Sequence, residues 1–174
     1  VWAHVDYVLP ASVEILSLSA LATVGIGNTL ENYLYGNTIA SRLDGGDGDD
    51  HLVPFSNSGV ADTHIGGNGF DWVDYGFASE GVVARLDLAN ANGGAATGDT
   101  YDGIEALGGS SHADLLVGNA GNNALSGELG DDTLIGGAGA DTLWGWDGRD
   151  TASYASATAG LIADLAAAGR NTGD

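Results

Sequence analysis

Residues 109–153 read GSSHADLLV, GNAGNNALS, GELGDDTLI, GGAGADTLW and GWDGRDTAS, five consecutive nonapeptides without a gap. Position one is Gly109, Gly118, Gly127, Gly136 and Gly145, and position four is His112 followed by Gly121, Gly130, Gly139 and Gly148. With 30 Gly among 174 residues, chance would place about two Gly in those ten slots, and nine are found. Position six is Asp114, Asn123, Asp132, Asp141 and Asp150, while position eight is Leu116, Leu125, Leu134, Leu143 and Ala152. Polar and apolar slots never exchange, and a fixed period of this kind marks a repeat architecture.

The unit recurs upstream as GGDGDDHLV (45–53) and GGNGFDWVD (66–74), with weaker copies GNTLENYLY and GNTIASRLD over 27–44. A longer repeat lies above it. GFDWVDYGFASEGVVARLDLA from Gly69 aligns with GRDTASYASATAGLIADLAAA from Gly148 at a constant offset of 79, matching Asp71 with Asp150, Tyr75 with Tyr154, Gly81 with Gly160 and Leu86 with Leu165. VEILSL (13–18) likewise matches IEALGG (104–109). Two supermodules are therefore expected, 1–99 with nonapeptides 27–53 and 66–74, and 100–174 with nonapeptides 109–153 and a connector cut short at Asp174.

Within one unit, two Gly in the first six residues predict a turn with positive φ at positions one and four. The last three residues place one large aliphatic between Thr, Ala, Trp or Val, the pattern of a short strand whose middle side chain points inward. A strand that buries one Leu cannot stand alone, so the units must stack at about 4.8 Å with the aliphatics lining a thin interior. The expectation is an all-β parallel solenoid. Segments 54–65 and 75–108 break the nine-residue register and are read as larger, metal-poor coils of the same stack.

Stacking turns also stacks Asp on Asp. The chain carries 24 acidic residues against 4 Arg and no Lys, a formal charge of −20. Such a surface repels nucleic acid and anionic membrane, so neither binding to nucleic acid nor membrane insertion is expected. Without Cys, thiolate metal sites, disulfides and thiol nucleophiles are excluded. The metal that suits hard oxygen ligands at tight glycine turns is Ca²⁺, which takes six to eight oxygens.

GGDGDDHLV, GGNGFDWVD and GGAGADTLW match G-G-x-G-x-D-x-U-x at every defined position, and the chain thereby resembles the RTX (repeats-in-toxin) calcium-binding proteins of Gram-negative bacteria. The resemblance implies a right-handed parallel β-roll, two nonapeptides per coil, with Ca²⁺ held between repeat n and repeat n+2. It would place Asp114, Asp132 and Asp150 on one side, Asn123 and Asp141 on the other, and Asp50 and Asp71 in the same slot upstream. Asp49 and Asp131 at position five, and Asp47, Asn68 and Asp147 at position three, would add charge or carbonyls. Asn123, Asn32 and Ser41 at position six, and His112 and Leu30 in Gly slots, predict weaker or missing sites there. The resemblance further implies type I secretion and folding in extracellular calcium, as part of a large secreted or cell-surface protein with a structural or adhesive role. Other copies of cell-surface protein, or glycans, are the further partners it suggests. The rival reading is the C-terminal region of a secreted hydrolase such as a protease or lipase.

Other readings of the same residues stand beside these. Position-six Asp could cap its own turn by accepting nearby N–H groups, with no metal at all. An EF-hand loop from Asp47 would need an acid or Asn at 51 and Glu at 58, where His51 and Ser58 stand. No H-E-x-x-H, G-x-S-x-G, Walker loop or G-x-G-x-x-G is present, so the chain is not expected to be an enzyme. His4, His51, His64 and His112 are scattered and read as surface or turn residues. Trp72, Trp144 and Trp146 fall outside the aliphatic slot, and packing on an adjoining coil is favoured over an exposed stacking surface. Thr133, Thr142 and Thr151 form only a short series for binding glycans or ice. The chain opens at Val1, has no Met and lacks a basic-then-apolar leader, which suggests a piece of a longer protein.

Overall fold

The computed structural model describes residues 1–19, 21–55, 60–88 and 91–153, and residues 162–164 as a backbone strand. Among them every regular element is a strand of two to six residues. One face of the molecule is a nine-stranded parallel sheet running through Trp2–Ala3, Ile15–Leu18, Tyr33–Tyr35, His51–Val53, Trp72–Asp74, Ala106–Gly108, Ala124–Ser126, Thr142–Trp144 and Ile162–Asp164. Intervening strands go to a second face, so the chain winds as a solenoid. The expected all-β parallel β-roll architecture is the one observed.

Position eight supplies the interior. Leu16, Leu34, Leu52, Val73, Leu107, Leu125 and Leu143 form one fully buried file on the nine-stranded face, and Leu43, Leu116 and Leu134 are equally buried on the other. Burying each Leu contributes about 1.5–3 kcal/mol. Strand partners are repeat n and repeat n+2: Leu125 lies beside Leu143, and Leu116 beside Leu134, an offset of 18 residues. The offset grows to 21 where Leu43 meets His64 and Leu52 meets Val73. The strand from Thr63 at the end of segment 54–65 thus stays in the stack.

The second face divides into two five-stranded sheets. Tyr7–Val8, Val24–Ile26, Arg42–Asp47, Thr63–Asn68 and Thr100–Asp102 form the first, and Gly93–Gly94, Val82–Arg85, Leu115–Val117, Thr133–Ile135 and Thr151–Ser153 the second. The two sheets exchange strands across the connector. Val82–Arg85 pairs forward with Leu115–Val117, whereas the later strand Thr100–Asp102 pairs back with Thr63–Ile65. Asn92 clips the crossing, its Oδ1 accepting the Arg85 N–H at 2.8 Å and its Nδ2 donating to the Asp99 carbonyl at 2.7 Å. Of the 79-residue alignment, Tyr154, Gly160 and Leu165 lie outside the described residues.

Trp72 and Trp144 are half-buried and stack at 6.3 Å between ring centroids. The Ala106 and Ala124 strands separate theirs, so the rings meet over small residues. The packing expectation holds for this pair. Trp146 differs: it is 53% exposed, with its Nε1–H donating to Ser126 Oγ at 2.9 Å.

Candidate metal centres

The position-six side chains sit at the corner where turn becomes strand, and in five of them Oδ1 accepts the position-six N–H of the preceding coil. Asp50 accepts from Asn32 at 2.8 Å, Asp71 from Asp50 at 2.8 Å, Asp132 from Asp114 at 2.9 Å, Asp141 from Asn123 at 2.9 Å and Asp150 from Asp132 at 3.1 Å. The column of carboxylates is thus threaded on backbone donors. What differs is the second oxygen.

Oδ2 of Asp50, Asp71, Asp132, Asp141 and Asp150 is buried and makes no hydrogen bond within the described residues. In three other turns the corresponding atom is satisfied by position two of its own turn. Asn28 N–H donates to Asn32 Oδ1 at 2.6 Å, Ser110 N–H to Asp114 Oδ2 at 2.6 Å, and Asn119 N–H to Asn123 Oδ1 at 2.8 Å. Asp114 is doubly held, since its Oδ1 also accepts from Val82 N–H at 2.7 Å and Ser110 Oγ at 2.9 Å.

Backbone conformation separates the two classes. Position two has positive φ in all five open turns, at Gly46 (+107°), Gly67 (+113°), Glu128 (+71°), Gly137 (+98°) and Trp146 (+63°). Asn28, Ser110 and Asn119, at position two of the capped turns, are not among the positive-φ residues. Because a peptide plane carries its N–H and C=O on opposite sides, turning the position-two N–H away brings the position-one carbonyl in. Those carbonyls crowd the preceding coil: a Cβ on Gly127 would lie 2.9 Å from the Gly145 oxygen, and one on Gly109 would lie 2.7 Å from the Gly127 oxygen.

This corrects one expectation. Positive φ belongs to positions two and four, not one and four. Position one is Gly because there is no room for a side chain: a Cβ on Gly136 would stand 2.8 Å from the Asp141 Cβ, with Oδ2 closer still.

Burial without a partner shows in the acidities. Asp50 and Asp132 are pushed up to about 7 and Asp71 to about 6, first by desolvation and further by neighbouring carboxylates. Asp114 is also raised by burial, opposed by its hydrogen bonds from Ser110 and Val82. Among the described residues the ion pairs are Arg42–Asp44, Arg85–Asp87 and His64–Asp99, so no Arg neutralises an open turn. Inward-facing carbonyls, unpartnered carboxylate oxygens and no protein cation form an all-oxygen donor set suited to Ca²⁺.

The remaining sequence-derived candidates lie at the exposed rim. Asp49 Oδ1 accepts from Phe70 N–H at 2.8 Å and Asp131 Oδ1 from Arg149 N–H at 2.9 Å, each capping the next coil. Asp47 Oδ1 accepts from Asn68 Nδ2 at 2.8 Å, and Asp147 bridges Leu129 through the backbone. Sequence reading missed Glu105, whose Oε2 takes the position-six role by accepting from Asp71 N–H at 3.0 Å. It also missed Asp62 and Asp99, which carry the same ladder on the second face: Ser41 N–H donates to Asp62 and Asp62 N–H to Asp99, both at 2.7 Å. The dipeptide Asp-Thr at 62–63 and 99–100, shared with 132–133, 141–142 and 150–151, was the available signal.

A family model described as RTX calcium-binding nonapeptide repeat (4 copies) matches residues 26–53, 108–143 and 126–153. No curated protein matches the chain. Residues 26–53 and 108–153 therefore carry nonapeptide repeats of the RTX calcium-binding type, set within the β-solenoid. The turn from Gly66 lies outside the matched residues, yet Gly67 and Asp71 give it the open geometry.

Proposed function

We propose that this RTX repeat chain is a calcium-switched structural region of a large secreted or cell-surface bacterial protein, exported unfolded and folded by extracellular Ca²⁺. The observation that carries the reading is the set of five buried carboxylate oxygens, on Asp50, Asp71, Asp132, Asp141 and Asp150, that nothing among the described residues satisfies. Left without a cation they oppose folding, because a buried unpaired charge is costly. Bound Ca²⁺ supplies the missing positive charge. These five Asp, with position-one carbonyls of the adjoining coils, are the ligands we assign, while Asn123 and Asp114 serve as self-capped turns flanking them. Five ions would bring the formal charge from −20 to −10.

Linkage makes this a switch. Each site adds about 2.7 kcal/mol when free Ca²⁺ is a hundredfold above its dissociation constant, and little when far below it. The nonapeptide matches support secretion, and no described helix is long and apolar enough to cross a membrane. The 79-residue offset supports a division into supermodules 1–99 and 100–174. Circular dichroism should show a largely unstructured chain in EDTA and a β-spectrum in millimolar Ca²⁺, with Mg²⁺ a poor substitute because of its octahedral demand. A β-spectrum indifferent to chelation overturns the proposal.

A further inference from the structure

The second face holds a polar cluster where the interior should be apolar. His64 occupies the position-eight slot beside Leu43, and Tyr101 follows it on the next strand. The expectation of a surface or turn histidine is wrong here, since His64 is fully buried. Neither of its ring nitrogens makes a hydrogen bond within the described residues. Its Nε2 stands 3.6 Å from Asp99 Oδ2, and Asp62 and Asp99 are 2% and 0% exposed. One donor atom each from Asp62, His64 and Asp99 lies within 4.8 Å of the others. Tyr75 holds Asp99 in place, its hydroxyl donating to Oδ2 at 2.6 Å and lying 2.5 Å from the Tyr101 hydroxyl.

We infer that Asp62, His64 and Asp99 form a transition-metal site of the Zn²⁺ class, chemically distinct from the calcium turns, at the end strand of the first five-stranded sheet. Geometry and ligand chemistry both point there. Zn²⁺ bound at about 2.0–2.2 Å to nitrogen and oxygen in a tetrahedral array separates its ligand atoms by roughly 3.3–3.6 Å, which the His64–Asp99 pair already meets. Imidazole suits Zn²⁺ and is a poor ligand for Ca²⁺, whose partners are oxygens. Two buried carboxylates and one buried imidazole are a set of three protein ligands of the kind Zn²⁺ takes. The coils expected from sequence to be metal-poor thus hold a cation of their own, enclosed as the strands stack and slow to exchange afterwards.

The test uses the full chain, folded in saturating Ca²⁺ after other metals have been stripped, and titrated with Co²⁺ as a coloured stand-in for Zn²⁺. One equivalent should bind with visible d–d absorption and be displaced by Zn²⁺. His64→Leu restores the residue type of the adjoining coil, so it should fold normally with Ca²⁺ while binding Co²⁺ at least tenfold more weakly. Asp132→Ala should bind Co²⁺ as the parent does, whatever happens to its calcium response. Unchanged binding in His64→Leu would assign the metal to an exposed histidine and overturn the inference, as would no binding by the parent chain. Should His64→Leu fail to fold, anomalous diffraction at the zinc edge on the parent protein decides. A peak among Asp62, His64 and Asp99 supports the site, and no peak there refutes it.

Discussion

Within the uninterrupted run, the first two turns, 109–114 and 118–123, and the last three, 127–132, 136–141 and 145–150, share a register and a strand geometry but not a chemistry. In the first two the position-two N–H satisfies the position-six side chain. In the last three the peptide is reversed and the carboxylate is left open. Upstream the order repeats: the capped turn from Gly27 precedes the open turns from Gly45 and Gly66. On the ligand assignment proposed above, metal dependence is set at position two as much as at position six. Each array would then begin on turns whose polar groups are satisfied without a cation and continue into turns whose carboxylates are not, a preformed base on which calcium could extend the stack.

The largest test of that contrast replaces one side chain of each kind. Asp132→Ala removes an open-turn carboxylate, and should lower the number of Ca²⁺ bound and raise the midpoint of calcium-induced folding by about fivefold. Asn123→Ala removes only a cap, accepting from Asn119 N–H and donating to the Glu105 carbonyl at 3.1 Å. It should cost about 1 kcal/mol, shift the midpoint less than about twofold and leave the stoichiometry intact. Equilibrium dialysis and circular dichroism read both. Equal loss of Ca²⁺ in the two variants erases the distinction between open and capped turns.

Acidity should separate the two states of the open turns by a smaller but opposite-signed pair of effects. The folded, metal-free carboxylates of Asp50, Asp71 and Asp132 hold protons up to about 7, 6 and 7, against about 3.9 for an unfolded Asp. The metal-free fold thus binds more protons than the unfolded chain between about pH 4 and pH 7, and loses stability as pH rises through that window. In EDTA, β-structure should increase on acidification from pH 7.5 to pH 4.5. Calcium must displace those protons from the folded chain, so the Ca²⁺ affinity of the folded state should fall as pH drops from 7.5 to 5.5. The folding midpoint, set against an unfolded chain whose Asp stay ionised in that range, should not rise. A folded-state Ca²⁺ affinity that ignores pH across that range contradicts the assignment of these carboxylates as ligands.

Much of this architecture was legible in the nonapeptides. A fixed Leu every nine residues and paired polar turns are enough to demand a parallel stack, while the pairing of repeat n with n+2 was legible only through the resemblance to RTX proteins. The open and capped turns were only half legible. Gly46, Gly67 and Gly137 at position two announce positive φ, but Glu128 and Trp146 do not, because neither is a residue type that favours the left-handed region. Asp114 looked like any other position-six Asp, and only Ser110 at position two marks its turn as capped. The strand exchange across the connector was not legible at all. Nothing in the pattern of Val82–Arg85 or Thr100–Asp102 says which half each will join, since both are short strands compatible with either neighbour.

The smallest expected effect concerns Trp146, a bulky residue held at φ +63° where Gly stands in three of the other four open turns. A left-handed conformation costs a non-glycine residue roughly 1–2 kcal/mol, which Trp146→Gly would relieve. The same change removes the indole hydrogen bond to Ser126, worth about 0.5–1.5 kcal/mol. The two nearly cancel, so stability in Ca²⁺ should move by no more than about 1 kcal/mol, with the same number of ions bound. Trp146→Val keeps neither advantage, because a β-branched side chain tolerates positive φ least. If conformation at position two governs the site, Val should push the turn toward the capped form, bring the residue-146 N–H back to Asp150 and weaken Ca²⁺ there severalfold more than Gly does. Calcium titrations of the two variants, monitored at the Asp150 turn by NMR, measure that difference. Identical affinities for Gly and Val would show that the carboxylate alone defines the site, and that the backbone of position two merely follows it.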